Sequence, residues 1–204
     1  MLSSILAVLA MTAVPAAGDT ALIPMKEIIV TGSRVSEPAL RAPAAVTVVD
    51  RSKFQDTRQF GLDEALSGIP GVFVQSRAGG QDVRVTIRGY GARGNGERSN
   101  SGSVRGIRVL TDGVPVTEPD GRTSLDLVDL GSTGRIEVVR SNASVLYGNA
   151  SGGVVNLRTN LSFERPWLEY TESGGSYGFH REQAAAGFTL GESRGVFTLA
   201  NTTF

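Results

Sequence analysis

The chain has 204 residues, with 20 basic and 20 acidic side chains in balance. That length suits one domain with appendages, and balanced charge excludes the basic footprint of a nucleic-acid binder. Cysteine is absent and histidine occurs once, at His180, which excludes a disulfide framework, thiol chemistry, Cys-ligated zinc and a histidine metal cluster.

Leu2 to Ala13 is an apolar run closing on Val14-Pro15-Ala16-Ala17. It falls short of the roughly 20 residues of a spanning helix. Val14 and Ala16 stand at the small-residue spacing of a signal-peptidase site. Residues 1–17 are therefore expected to be an export signal, although no Lys or Arg precedes the run. Residues 18–44 read as an extended leader, with Pro38 and Pro43 disfavouring helix. Within it Ile28, Ile29 and Val30 form a short β-branched run with no evident partner strand.

Val46 to Val49 predicts a strand, and Leu62 and Leu66 share one helical face that Ile69-Pro70-Gly71 ends. Val72-Phe73-Val74 starts another strand. Val83, Val85 and Ile87 alternate with Arg84, Thr86 and Arg88, as on a half-buried strand. Residues 89–103 read as polar loop. Ile107 to Leu110 predicts a strand, and Asp112-Gly113 a tight hairpin turn into Val114-Pro115-Val116. A second polar loop covers Glu118 to Arg122, and Leu125 to Val128 suits a helical turn. Arg135 to Arg140, Val145 to Gly148 and Gly152 to Leu157 complete the compact part. The expected fold is α+β, a small mixed sheet with short helices. Beyond Phe163, alternating runs at 167–172, 185–190 and 195–204 are separated by Gly-rich turns, a texture that suits membrane barrel strands. Three strands cannot close a barrel, since open edges are not tolerated in lipid, so more strands are expected to follow them.

Gly89-Tyr90-Gly91-Ala92-Arg93-Gly94 has the GxGxxG spacing of a dinucleotide fingerprint. That chemistry requires a helix directly after the glycines to hold the pyrophosphate. The continuation, Asn95-Gly96-Glu97-Arg98-Ser99-Asn100, does not start one, and the nucleotide reading is rejected. His180 has no Ser-His-Asp grouping around it and is expected to be a solvent-facing strand or turn residue. No residue is assigned to catalysis or to a metal.

Six segments in order carry a family resemblance. They are Glu-Ile-Ile-Val-Thr-Gly-Ser at 27–33, Leu-Ser-Gly-Ile-Pro-Gly-Val at 66–72 and Ile-Arg-Gly-Tyr-Gly at 87–91, then Val-Leu-Thr-Asp-Gly-Val-Pro at 109–115, Arg-Ile-Glu-Val-Val-Arg at 135–140 and Leu-Tyr-Gly-Asn-Ala-Ser-Gly-Gly-Val-Val-Asn at 146–156. Together they resemble the plug domain of TonB-dependent receptors. The resemblance implies a plug at 45–160 and, at 161–204, the first strands of an antiparallel transmembrane β-barrel, which in this family has about 22 strands and a plugged lumen. It places the TonB box at 27–33, where Glu27, Ile28, Ile29, Val30 and Thr31 would pair with TonB as an added strand. Arg88 and Arg140 would pair with carboxylates on the barrel wall. Loops 91–103 and 117–122 would face outward, with Arg93, Asn95, Arg98 and Asn100 as ligand contacts. The implied partners are TonB with its inner-membrane energising complex, a small-molecule metal chelate and the Gram-negative outer membrane, with no cofactor. The leader before the box, residues 18–26, is too short for a further signalling domain. The family commonly has Arg-Gly-Pro where this chain has Arg140-Ser141-Asn142, and Ser and Asn still suit a turn there. A secreted or periplasmic β-rich binding module would share the export signal and the strands, but leaves the segment at 27–31 unexplained.

Overall fold

The computed structural model describes residues 29–30, 37–38, 45–77, 82–91, 105–116, 123, 125 and 128–204. The expected export signal, Glu27, Ile28 and Thr31, the loop residues Arg93, Asn95, Arg98 and Asn100, and the loop at 117–122 lie outside the described residues.

Two short strands come first, β1 (Ile29–Val30) and β2 (Glu37–Pro38), paired antiparallel. The compact domain begins with β3 (Val46–Asp50), a 3-10 turn at Arg51–Lys53 and the helix α1 (Leu62–Leu66). Next come β4 (Val72–Arg77), β5 (Asp82–Ile87) and β6 (Tyr90–Gly91), which form a three-stranded antiparallel sheet. β7 (Ile107–Thr111), β8 (Val114–Pro115), β9 (Thr133–Val139), α2 (Ser144–Tyr147) and β10 (Gly153–Thr159) complete it.

The main sheet runs β3-β9-β10-β7-β8. It is mixed: β10 lies parallel to β7 and antiparallel to β9. Its β-branched rows bury both faces. On one face Ile136, Val138, Val155 and Leu157 pack with Phe54, Leu62, Leu66, Val85, Ile87 and Leu130. On the other, Val139 and Val154 pack with Leu110, Ala143, Tyr147 and Ala150. Burying one such aliphatic side chain stabilises by about 1.5–3 kcal/mol. The β7–β8 hairpin turns on Asp112 and Gly113 at φ +50° and +86°, the left-handed pair that a two-residue turn of this hand requires.

Two stretches differ from the sequence reading. Gly89 to Gly91, expected as loop, is the turn and short strand of a hairpin with Ile87 opposite Tyr90. Gly91 packs so closely on Val85 that a side chain would strike its carbonyl oxygen. The first glycines of the GxGxxG spacing therefore serve a β-turn. Val145 to Gly148, left without an assigned type, overlaps α2 (Ser144–Tyr147) and ends on its C-cap glycine. Asn142 accepts a hydrogen bond from the Ser144 amide through Oδ1 at 3.0 Å. This Asx turn occupies the place where the family has Arg-Gly-Pro.

After residue 160 the chain builds a second antiparallel sheet from β11 (Trp167–Gly174), β12 (His180–Leu190) and β13 (Ser193–Thr203), in the order β11-β12-β13. β12 starts five residues before the expected run at Ala185, because Arg181 and Gln183 point inward and their polarity disguised the strand. They are buried, at 9% and 4% exposure.

Candidate functional site

The N-terminal segment places two of the five expected TonB-box residues. Ile29 lies opposite Pro38 and Val30 opposite Glu37. Proline brings no amide donor, so the pairing is short, and two residues of strand carry little stability of their own.

The structure brings Arg88 and Arg140 together. Arg88 sits at φ +52° in the β5–β6 turn, and its guanidinium donates to the Arg140 carbonyl at 3.5 Å. Arg140, one residue past β9, donates to the Pro70 carbonyl at 2.9 Å. Among the described residues neither has a carboxylate partner. The expected pairing with the barrel wall is therefore not made by β11, β12 or β13.

A different set of residues joins the compact domain to the outer sheet. Asp129 first builds a turn, accepting the Gly131 and Ser132 amides at 2.9 and 3.1 Å. That turn aims the Gly131 carbonyl at Arg51, which donates to it at 2.7 Å. The same guanidinium reaches the Thr133 carbonyl at 3.4 Å and both carboxylate oxygens of Glu169 on β11, at 3.0 and 3.2 Å. Such a fork is the geometry that arginine supplies and lysine does not. Deeper in the seam, Gln183 of β12 donates to Gln59 Oε1 at 3.1 Å, and Gln59 donates to the Gln55 carbonyl. Arg181 donates to Gln183 at 2.7 Å and to Thr202 of β13 at 2.8 Å. Gly131 lies directly under Gln183, where a side chain would collide with the amide. Phe60, Phe179 and Phe204 close the end of the seam, with Arg181 over the Phe60 ring. The sequence reading assigned none of these residues. No local signal marked Arg181 and Gln183, because they alternate with His180 and Glu182 in a run that is polar throughout.

The far face of the outer sheet is the reverse of a soluble one. Leu168, Tyr170, Phe188, Leu190, Phe197 and Leu199 point away from the compact domain, and Leu168, Phe197 and Leu199 are 80%, 60% and 64% exposed. Register makes them rows: Leu168, Ala186 and Phe197 line up across the strands, as do Tyr170, Ala184 and Leu199. Glu172, Glu182 and Asn201 form the next row and end the apolar band. His180 lies beyond it, 41% exposed and 3.4 Å from Glu182, a solvent-facing strand residue as expected. Apolar-out and polar-in alternation is the signature of a transmembrane β-barrel wall.

The TonB-dependent receptor plug domain family matches residues 38–154, more than half of the chain. The vitamin B12 transporter BtuB of Photobacterium profundum is 29% identical over 168 residues, 81% of this chain and 26% of that protein. The hemin receptor of Yersinia enterocolitica is 30% identical over 135 residues, covering 65% of the chain and 18% of the receptor. The chain thus spans about a quarter or less of these relatives' length. Among solved structures, the pyoverdine outer membrane receptor FpvA of Pseudomonas aeruginosa, bound to pyoverdine, aligns with a TM-score of 0.66 at 20% identity, over 85% of this chain and 24% of that one. The relatives are a transporter and receptors rather than enzymes. The mixed-sheet domain, the apolar-out strands beside it and the family match together make this chain a member of the TonB-dependent receptor family of the Gram-negative outer membrane.

Proposed function

We propose that the chain supplies the plug and first barrel strands of a TonB-dependent active transporter that carries a scarce nutrient, most fittingly a ferric siderophore or other ferric chelate, across the outer membrane. The observation that carries this reading is the plug-family match over residues 38–154 joined to a strand sheet with an apolar outer face and a polar inner one. Cargo binds above the plug and the segment at 27–31 becomes available to TonB. TonB pairs with it as an added strand through main-chain hydrogen bonds, and its energising complex in the inner membrane supplies the work. Nothing in this scheme is catalytic.

Ile29→Pro in the full-length receptor tests the assignment of the TonB box. Proline removes a donor and disrupts a paired strand. Energised uptake is expected to vanish while cargo binding persists, and normal uptake by the variant refutes the assignment. Because one relative is a vitamin B12 transporter, the uptake assay carries ferric carboxylate, ferric catecholate, haem and cobalamin arms.

A further inference from the structure

Tension on the N-terminal segment enters the plug through β3, one of the two edge strands of the main sheet. It lies at the edge and is hydrogen-bonded to β9 alone, through five residue pairs from Val46–Val139 to Asp50–Arg135. Of its residues only Val49 is buried. A pull from its N-terminal end loads the Arg140 amide to Ala45 carbonyl bond first, then Val46–Val139 and each pair in turn. The next residue, Arg51, is held quite differently. Its guanidinium binds two carbonyls of the turn before β9 and both oxygens of Glu169 on the barrel wall. Past it burial rises abruptly, with Phe54, Gln59 and Leu62 at 0%, 2% and 1% exposure.

We propose that Arg51 is the stop at which strand peeling ends: tension strips β3 from β9 up to Asp50, and Arg51 then passes the force to the barrel strand β11 through Glu169. The plug thereby has a releasable strand and a wall-anchored remainder. Arg51 is a positioning residue and touches no cargo. The proposal rests on residues 27–31 being the pulled end; the force traces do not, whereas the uptake arm does.

The full-length receptor, in lipid vesicles, is pulled by a cantilever attached to a tag upstream of Glu27. After the leader straightens, wild type should release about 17 Å for the five residues of β3, at about 3.3–3.6 Å per residue, and then show a force peak. In Arg51→Ala that peak should disappear. The next should come about 10 Å later, where the chain tightens at the fully buried Phe54, at about 3.5 Å per residue. Should Arg51→Ala not assemble, Glu169→Gln keeps the shape and should lower the peak without moving it. A Val46→Cys/Val139→Cys disulfide should abolish the first release and block uptake with binding intact, both restored by reductant. Equal peak position and height in wild type, Arg51→Ala and Glu169→Gln overturns the proposal, as does unimpaired uptake by the oxidised pair. A wrong TonB-box assignment shows separately, as uptake surviving Ile29→Pro, and leaves the cantilever traces unchanged.

Discussion

Phe197 tests which solvent the outer sheet faces. It stands in the middle row of the apolar band, with Leu168 and Ala186 beside it and 60% of its surface exposed. Two residues on along the same face, Leu199 carries the next row, and Asn201 lies in the polar row of Glu172 and Glu182. Arginine on the lipid face of a barrel costs about 2–4 kcal/mol at the midplane and about 0–1 near the interface. Phe197→Arg should therefore weaken folding by roughly 2 kcal/mol or more relative to Asn201→Arg, which is about 30-fold in the equilibrium constant. In water the order reverses, because Phe197→Arg would remove an exposed apolar ring at no desolvation cost. The assay is urea unfolding of the full-length receptor in vesicles, followed by its heat-modifiable gel mobility. Equal stability of the two variants, or a more stable Phe197→Arg, refutes the membrane-facing assignment.

Arg88→Ala and Arg140→Ala should each loosen the plug and raise outer-membrane leakage of large antibiotics. Both bond only backbone carbonyls here; a buried partner elsewhere on a barrel wall would make the loss roughly 3–5 kcal/mol, against about 0–1 for an exposed contact, and unchanged permeability in both variants returns these arginines to simple turn residues. The sequence puts Arg93 and Arg98 in one polar stretch, offset by Glu97 there and by Glu118 and Asp120 in the next, which motivates the hypothesis that the cargo is anionic. Arginine favours bidentate carboxylate or phosphate contacts. Cargo binding should weaken as salt screens charges beyond about 8 Å, and titration should show a loss in Arg93→Ala/Arg98→Ala. A neutral chelate bound equally by wild type and the double variant excludes anion selection by this loop.

Much of the compact domain was legible because local signals and burial agree. Asp112-Gly113 specifies its turn through left-handed dihedrals, and Val83, Val85 and Ile87 alternate because one face meets the core while the other does not. The seam was illegible for the opposite reason. Arg51 follows a short strand and resembles any surface arginine. Its partners are two backbone carbonyls about 80 residues away and a carboxylate 118 residues away, and neither leaves a trace in local sequence. α2 was hidden by β-branched Val145, which is fully exposed and fits a strand as readily as a helical turn. Tertiary contacts decide there: Tyr147 is buried against the sheet and Ser144 bonds Ser151 at 3.2 Å.

The outer sheet shows why parity matters more than polarity. A period-two pattern has two solutions, and a one-residue slip exchanges every inward side chain for an outward one. Composition alone favours turning Leu168, Phe197 and Leu199 toward the compact domain. Packing at two glycines forbids it. Gly131 leaves only enough room for the Gln183 amide, and Gly187 accommodates the Trp167 indole lying across it on the same inward side. Gln183 then finds Gln59, itself buried at φ +51° with its amide on the Gln55 carbonyl. A slip would strand Gln59 without its partner, and a buried unsatisfied polar group costs about 1–3 kcal/mol. It would also press leucine and phenylalanine onto a surface shaped for amides. The polar seam thus fixes the register. The register in turn commits Leu168, Tyr170, Phe197 and Leu199 to the far side, away from the compact domain.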